Sequence, residues 1–220
     1  MISPLEKTTL HDLAGRPILL DANVLMVGIG ERALDPKYSF ESMRALYLEP
    51  LFESFSDILI HEEVYHELDK EAQAFVDSYL GKNVRLVGEN GLYGTDPQYT
   101  TIFDSIAEHE LVRYDRRNSK DRGEVFSMAY AAFHNVSYFC SRDAMADLVS
   151  DDLAELRDIS IVTFDVVILA AYVYHREKRD LSDFQKALKA VYKTYCEDVI
   201  RRHKLPKKLS DYIEASRAYL

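Results

Sequence analysis

The chain lacks the features that mark a secreted or disulfide-stabilised protein. Its two cysteines, Cys140 and Cys196, lie far apart and form no C-x-x-C pair, so neither a disulfide framework nor a zinc knuckle is expected. The N-terminal sequence MISPLEKTTLHDLAG lacks the layout of a signal peptide, and the longest apolar run, 166–174, is too short to span a bilayer. We expect a protein of a reducing cytoplasm without a membrane partner.

The sequence also lacks a surplus of basic residues and the glycine-rich loops of nucleotide-binding proteins. Its formal net charge is −10, which taken alone argues against a nucleic-acid binder. Neither G-x-x-x-x-G-K-[ST] nor G-x-G-x-x-G occurs, which disfavours P-loop and dinucleotide-binding functions. A nuclease can nevertheless be acidic overall, because its metal site requires clustered carboxylates while local arginines and lysines hold the phosphates.

Two further enzyme classes are disfavoured by residue spacing. His61 and His66 suggest a zinc peptidase, but that motif needs histidines four residues apart on one helix face. Here they are five apart, about 140° around a helix, and so point in different directions. A haloacid-dehalogenase-type phosphatase needs a second acid two residues after the first, whereas Asn23 follows Asp21 at that distance.

Short β-rich runs alternate along the chain with longer helical patterns. Of the 220 residues, 47% are hydrophobic and 29% charged, an ordinary balance for a globular protein with one sizeable core. The alternation predicts an α/β fold, a three-layer α/β/α arrangement around a parallel sheet of about five strands. The predicted strands are 17–21, 57–60, 84–87, 136–140 and 159–164. The predicted helices between them are 40–55, 61–80, 97–112, 121–134 and 143–156.

The character of the sequence changes after the fifth predicted strand. Asp165, which ends that strand, is expected to cap the following helix, with a further acid of the site as the alternative. The helices predicted beyond it are 166–178, 181–203 and 208–219. We therefore predict an α/β domain over 1–165 and a helical extension over 166–220, which packs on the domain or forms an oligomer contact such as a homodimer.

Acidic side chains lie where the predicted strands end. Ligands of an open parallel sheet bind beyond the carboxyl ends of its strands, so acids at those positions are candidate site residues. Asp21 ends the first strand and Asp143 follows the fourth, with helix capping as the alternative role for each. Glu67 lies beside the buried stripe of the helix after the second strand. Glu124 borders the apolar stripe in the first turn of the helix at 121–134.

Other polar residues accompany these four acids. Asp121, with N-capping as a further role, and Asp147, one helical turn after Asp143, are lower-ranked candidate ligands. Asn23 is placed to orient a ligand or a metal-bound water. Three other acids of the predicted helix at 61–80 are expected to be solvated charges, namely Glu62, Glu63 and Glu71.

Converging carboxylates would repel one another, and some would take up protons. A divalent cation relieves that repulsion, and ligation by oxygen alone suits Mg²⁺ or Mn²⁺. The locally basic stretch before Glu124 is a candidate phosphate-binding segment, with a solvated loop as the alternative. Arg142, directly before Asp143, is better placed for that role. The candidates in the basic stretch are Arg116, Arg117, Lys120 and Arg122.

The four acids occur in motifs that resemble those of the PIN-domain family. The sequence LLDANVL at 19–25 resembles the family's opening strand, and IHEEVYHEL at 60–68 resembles its second element, in which a Glu-Leu pair follows a Val. The segment DRGE at 121–124 resembles a Gly-Glu motif that opens a helix, and Gly123 allows close approach of the backbone to a partner. The segment FCSRD at 139–143 resembles a strand that ends in a polar residue and Asp. The order and approximate spacing agree over about residues 15–165.

The resemblance implies a metal-dependent ribonuclease. Asp21, Glu67, Glu124 and Asp143 would ligate one or two Mg²⁺ or Mn²⁺ ions, and hydrolysis would leave a 5′-phosphate and a 3′-hydroxyl. DNA is a further candidate substrate. The long stretch between the first two strands and the C-terminal helices depart from compact toxin-type members, although an inhibitory protein partner stays open. The alternative function is a non-catalytic PIN-like module that binds RNA or a protein partner.

Overall fold

The computed structural model describes residues 9–26, 39–89, 91–114 and 121–220. The strands are β1 (Ile18–Leu20), β2 (Ile58–His61), β3 (Val84–Val87), β4 (Tyr138–Cys140) and β5 (Ser160–Val162). The helices are α1 (Leu10–Ala14), α2 (Ala22–Leu25), α3 (Phe40–Met43), α4 (Glu49–Ser54), α5 (Glu62–Glu67), α6 (Lys70–Asp77), α7 (Pro97–Ala107), α8 (Arg122–His134), α9 (Ala144–Asp152), α10 (Phe164–Lys178), α11 (Leu181–Tyr195), α12 (Glu197–Arg202) and α13 (Leu209–Ala215). A π-helical turn, Arg44–Leu48, joins α3 to α4, and 3₁₀ turns lie at Ala154–Leu156 and Arg217–Tyr219.

The predicted strands and helices all occur, although several helices are interrupted or shorter than expected. The predicted helix at 61–80 consists of two helices, because Leu68 leaves the helical conformation and Asp69 caps α6 by accepting from the N–H groups of Glu71 and Ala72. The predicted helix at 181–203 is interrupted at Cys196. Within the described ranges, no helix is both long and apolar enough to cross a lipid bilayer.

The five strands form one parallel sheet in the order β3-β2-β1-β4-β5, flanked by helices. The α/β class predicted from the sequence is thereby confirmed. The strand β1 is central, with Leu19 beside Leu59 of β2 on one side and Phe139 of β4 on the other. Because Asp21 directly follows β1, it lies at the middle of the carboxyl edge of the sheet.

One face of the sheet packs on α7, α8 and α9. Leu19, Leu59, Phe139 and Ile161 point to this face and belong to one apolar cluster with residues of those three helices. Each fully buried Leu or Phe of such a cluster contributes about 1.5–3 kcal/mol to stability relative to an exposed side chain. Ile18 points to the opposite face and is also fully buried, as expected for a parallel sheet covered on both faces.

The described residues divide into two compact units. One unit contains 17–26 and 57–161, which include the sheet up to Ile161 and the helices α2 and α5 to α9. The other contains the described residues within 1–16, 27–56 and 162–220. The sequence-based boundary at 165 lies close to the start of the last of these segments. The helices α1, α3 and α4, which the sequence placed with the sheet, instead group with the C-terminal helices.

In the second unit, Asp165 connects α13 to the start of α10 by hydrogen bonds. The expectation that Asp165 caps α10 is wrong, because Thr163 occupies the N-cap position. The Asp165 carboxylate accepts from the Tyr212 hydroxyl through Oδ2 and from the Thr163 hydroxyl through Oδ1, each at 2.6 Å. Asp165 is only 1% exposed, so these hydroxyls replace water as its hydrogen-bond donors.

Replacing Tyr212 by Phe is expected to destabilise the protein, because a buried Asp165 oxygen loses its donor. The expected loss in the free energy of unfolding is about 1–3 kcal/mol, measured by urea denaturation followed by circular dichroism. The matched control is Tyr219→Phe, at a partly exposed position in the last 3₁₀ turn. Equal stabilities of the two variants would contradict this account of Asp165.

Candidate functional site

Two buried carboxyl groups meet at the carboxyl edge of the sheet. Asp21 is 3% exposed and follows the central strand, and Glu124 is 7% exposed in the first turn of α8. Asp21 occupies the position before α2, but its side chain makes no capping hydrogen bond. Helix capping, the alternative role for Asp21, therefore does not account for its burial.

The hydroxyl of Ser141 lies between these two carboxyl groups. Ser141 is fully buried directly after β4, and its Oγ is 3.2 Å from Asp21 Oδ2 and 3.4 Å from Glu124 Oε1. The same oxygen accepts from Asn23 Nδ2 at 3.0 Å and from the N–H of Asp143 at 3.0 Å. Because a hydroxyl has a single hydrogen, it serves only one of the two carboxyl groups at a time.

Asn23 links the exit of β1 to the exit of β4. Its Nδ2 donates to Ser141 and, at 3.4 Å, to Glu124 Oε1, while its Oδ1 accepts from the N–H of Arg142 at 2.9 Å. The sequence predicted that Asn23 orients a ligand or water near Asp21. In the structure, the groups that Asn23 orients are protein side chains and the backbone after β4.

Burial raises the pKa of both carboxyl groups, and the charge of Asp21 raises the pKa of Glu124 further. For Glu124 the largest cause is burial, followed by the charges of Asp21 and Asp143. For Asp21 the largest cause is again burial, and the charge of Glu67 adds to it. Hydrogen bonds with the Ala22 backbone, Glu124 and Ser141 act in the opposite direction and lower the pKa of Asp21. Without a cation, the pair therefore retains a proton at pH values where exposed carboxyl groups are ionised.

Glu67 approaches this pair from α5 and binds the start of α8. Its Oε1 accepts from the N–H of Gly123 at 3.0 Å. A Cβ atom at position 123 would lie 2.9 Å from Val64 Cγ2 and 3.0 Å from Glu67 Oε1, so only glycine permits this approach. The close contact expected at Gly123 is confirmed. Glu67 as a residue is exposed, and partial burial of its carboxyl group is the main cause that raises its pKa.

Asp121 precedes α8 but does not cap it with its side chain. Its backbone adopts a left-handed conformation with φ of 58°, and its Oδ2 accepts from the N–H of Arg113 at 2.8 Å. The expected N-cap interaction is therefore absent at Asp121. Glu67 instead supplies a carboxylate acceptor to the first turn of α8.

Asp143 caps a helix, as its predicted alternative role requires, and it also lies near the buried pair. It is exposed and caps α9, since its Oδ1 accepts from the N–H of Met145 at 2.9 Å. Its charge nevertheless contributes to the raised pKa of Glu124. Asp147, the lower-ranked candidate one turn later, is buried within α9.

Metal binding by all four predicted acids would require some of these contacts to change. In the part of the chain that the structure describes, no three His, Cys, Asp or Glu side chains are arranged so that they hold a metal ion. Glu67 and Asp143 are each bound to a backbone N–H group. The atoms of the buried pair that could ligate a metal ion are all oxygens, and the nearby Ser141 hydroxyl is an oxygen as well. Such a set of ligand atoms fits a hard divalent cation.

The predicted phosphate-binding residues have different environments. Arg122 forms a two-pronged ion pair with Glu63, with distances of 2.5 Å from Nε to Oε2 and 2.7 Å from the terminal nitrogen to Oε1. Arg142 is exposed beside Asp143. The other three candidates lie outside the described residues, namely Arg116, Arg117 and Lys120.

Sequence reasoning missed two residues of this region, Ser141 and Glu63. The position of Ser141, at the end of a strand and two residues before Asp143, was the available signal for its role. The expectation that Glu63 is a solvated charge is wrong, because it is paired with Arg122. That partner lies 59 residues later in the chain, and no local pattern indicates such a pair.

Comparison of the chain with protein-family models, with curated proteins and with solved structures found no match. The resemblance to PIN-domain motifs therefore stays a prediction that rests on the residues quoted for it. A function for this chain has to be argued from the geometry of the carboxyl pair and of the side chains around it.

Proposed function

We propose that the chain is a metal-dependent nuclease that hydrolyses phosphodiester bonds in RNA and leaves a 5′-phosphate and a 3′-hydroxyl. One observation carries this proposal: the buried carboxyl groups of Asp21 and Glu124 meet around the Ser141 hydroxyl at the centre of the carboxyl edge of the sheet. That edge is where ligands bind in parallel α/β sheets.

The energetics of the pair support a functional role. Holding two carboxyl groups out of water beside each other disfavours their charged forms and lowers the stability of the folded protein. Carboxyl groups with strongly raised pKa values at a strand end are typical of functional sites. A bound cation would neutralise the pair and recover the lost stability.

Asp21 and Glu124 would be the principal ligands of Mg²⁺ or Mn²⁺, and Glu67 and Asp143 would ligate it directly or through water. When bound, such an ion polarises the scissile phosphate and lowers the pKa of a bound water. Ser141 and Asn23 hold the ligand carboxylates in place by hydrogen bonds. Asp121 and Asp147 keep their lower rank as candidate ligands.

The preference for RNA rests on the resemblance to PIN domains, and phosphate contacts would come from arginines and lysines near the pair. We propose Arg122 and Arg142 for these contacts, together with the predicted candidates Arg116, Arg117 and Lys120. A cytoplasmic location, a homodimer contact and an inhibitory protein partner belong to the same proposal.

A non-catalytic module that binds RNA or a protein partner is the second candidate function. It is favoured by one observation, namely that the described residues hold no ready group of three metal-binding side chains. In that case Asp21 and Glu124 would remain a protonated pair, and the nearby arginines alone would contact the partner. Cleavage and metal-binding measurements separate the two functions.

One prediction from the proposed function concerns activity. Wild-type protein is expected to cleave RNA with Mn²⁺ or Mg²⁺ and to lose this activity in EDTA, whereas Asp21→Asn is expected to reduce the rate at least about a hundredfold. The measurement is cleavage of labelled single- and double-stranded RNA and DNA, with identification of the product ends.

The matched control for Asp21→Asn is Asp158→Asn. Asp158 is exposed and precedes β5, so it lies at the amino edge of the sheet and its loss should leave cleavage unchanged. Activity that survives EDTA, or equal rates for wild type and Asp21→Asn, would contradict the proposed mechanism. A wild-type protein that cuts none of the four substrates would favour the non-catalytic module.

Another prediction from the proposed function concerns stability without metal. In the folded protein, burial holds the pKa of Glu124 above its usual value of 4.5. The folded state therefore keeps a proton that the unfolded state releases, so stability is unaffected below about pH 4 and falls as the pH rises. Glu124→Gln removes this ionisation. In EDTA at pH 8 it is expected to raise the free energy of unfolding by about 0.5–2 kcal/mol, with the difference vanishing near pH 4.

Mn²⁺ provides the second half of this measurement. It is expected to raise the thermal unfolding midpoint of the wild type and to have no comparable effect on Glu124→Gln, because the variant lacks one of the two principal ligands. A destabilised Glu124→Gln variant in EDTA at pH 8 would refute the energetic account of the pair. Equal effects of Mn²⁺ on both proteins would refute the role of Glu124 as a ligand.

A further inference from the structure

The guanidinium group of Arg122 is held in a defined orientation at the start of α8. Its Nε and one terminal nitrogen donate to the two carboxylate oxygens of Glu63, at 2.5 and 2.7 Å. Its central carbon lies 5.1 Å from the centre of the Phe126 ring. A two-pronged ion pair and a ring contact together restrict the plane of the guanidinium group.

Glu63 is itself held by the structure around β2. It lies in the first turn of α5, and its backbone N–H donates to Nδ1 of His61 at 3.1 Å. His61 is 1% exposed, and burial is the main cause that lowers its pKa to about 4, so its ring accepts this bond in the neutral form. Glu63, which binds Arg122, therefore lies in a helix whose first turn is held by His61 at the end of β2.

This arginine lies next to the residues of the candidate site. Gly123, the next residue, donates its N–H to Glu67, and Glu124 follows as a member of the carboxyl pair. The charge of Arg122 also acts on Glu67, lowering the pKa that burial raises. Residues two apart on a helix do not face each other, so the side chains of Arg122 and Glu124 point in different directions. A phosphate bound by Arg122 would therefore lie on the Glu67 side of the candidate site.

The ion pair with Glu63 uses only some of the N–H donors of the Arg122 guanidinium group. A guanidinium group has five N–H donors, and the contact with Glu63 uses only one edge of its fork. The other edge has the same two-pronged geometry, which suits phosphate oxygens. The side chains of Arg122 and Glu63 are 33% and 26% exposed, so the pair can be reached from solvent.

We propose that Glu63 is a positioning residue, which holds Arg122 so that its second edge binds a backbone phosphate of the substrate on the Glu67 side of the candidate site. The proposal rests on the proposed function only in taking a nucleic acid as the substrate. The proposal predicts that an acidic residue, Glu63, strengthens the binding of a negatively charged nucleic acid. Simple electrostatics has the opposite sign, since removing a negative charge near the site should strengthen binding.

Fluorescence anisotropy with a labelled single-stranded oligoribonucleotide, in Ca²⁺ in place of Mg²⁺, tests this proposal on the full chain. Glu63→Gln and Arg122→Gln are each expected to weaken binding about tenfold. The double variant should bind as weakly as Arg122→Gln alone, because Glu63 acts only through Arg122. Arg122→Gln should also reduce the slope of log Kd against log salt by about one.

Glu71→Gln is the matched control, because it removes the same charge from an exposed position on α6. It is expected to bind the oligoribonucleotide at least as tightly as the wild type. Thermal unfolding of each variant checks folding. If Glu63→Gln does not fold, Arg122→Lys provides the test, because it keeps the positive charge but removes the fork and should weaken binding to a similar extent.

The proposal is overturned if Glu63→Gln binds as tightly as the wild type or more tightly, or if its effect persists in the Arg122→Gln background. It is also overturned if Arg122→Lys binds like the wild type, or if the wild type does not bind the oligoribonucleotide. The assay requires no cleavage. A protein that binds RNA through Arg122 and Glu63 but never cleaves it would therefore refute the proposed function and leave this inference standing.

Discussion

The organisation of the sheet edge depends on one constraint, which is that two buried carboxyl groups cannot both be ionised beside each other without a proton or a cation between them. Asp21 and Glu124 create this condition at the end of the central strand. The neighbouring groups that bind them, Ser141 and Asn23, are neutral, so they orient the carboxyl groups without removing the repulsion. The raised pKa values of the pair express a loss of stability that binding a divalent cation would reverse.

The other two predicted acids serve the backbone around this pair. Glu67 binds the first turn of α8 where Asp121 does not, and Asp143 caps α9. Both contacts place a carboxylate near the pair and fix the start of a helix that borders it. The absence of a Cβ atom at Gly123 is what allows α8 to approach Glu67 this closely. The position of Glu124 thus depends on a short sequence in which each residue has a different structural role.

The sequence predicted the elements better than the contacts among them. Apolar runs located β1 and β2 because these inner strands are buried on both faces. The edge strand β3 was also located, although two of its four residues are exposed. The break between α5 and α6 had a local signal, Asp69 as an N-cap, which a purely periodic analysis overlooks. By contrast, Ser141 binds Asp21, which lies 120 residues earlier in the chain. The grouping of α1, α3 and α4 with the C-terminal helices likewise depends on contacts between residues that are distant in sequence. Burial also decided the role of Asp21, since a capping aspartate and a buried site aspartate occupy the same place in a sequence pattern.

Because the chain is acidic overall, an arginine held in a fixed orientation is important for any binding of phosphate. With a net charge of −10, the long-range field of the protein repels a polyanion, but salt screens that field beyond about 8–10 Å. Close contacts then determine binding, and a guanidinium group that is already oriented loses less conformational entropy when it binds a phosphate than a flexible lysine does. An acidic residue that orients such a group can favour binding despite its charge, because the gain in orientation acts at contact distance while the repulsion is weakened by solvent. In an acidic protein, the positions of a few held arginines are therefore more informative about phosphate binding than the overall charge.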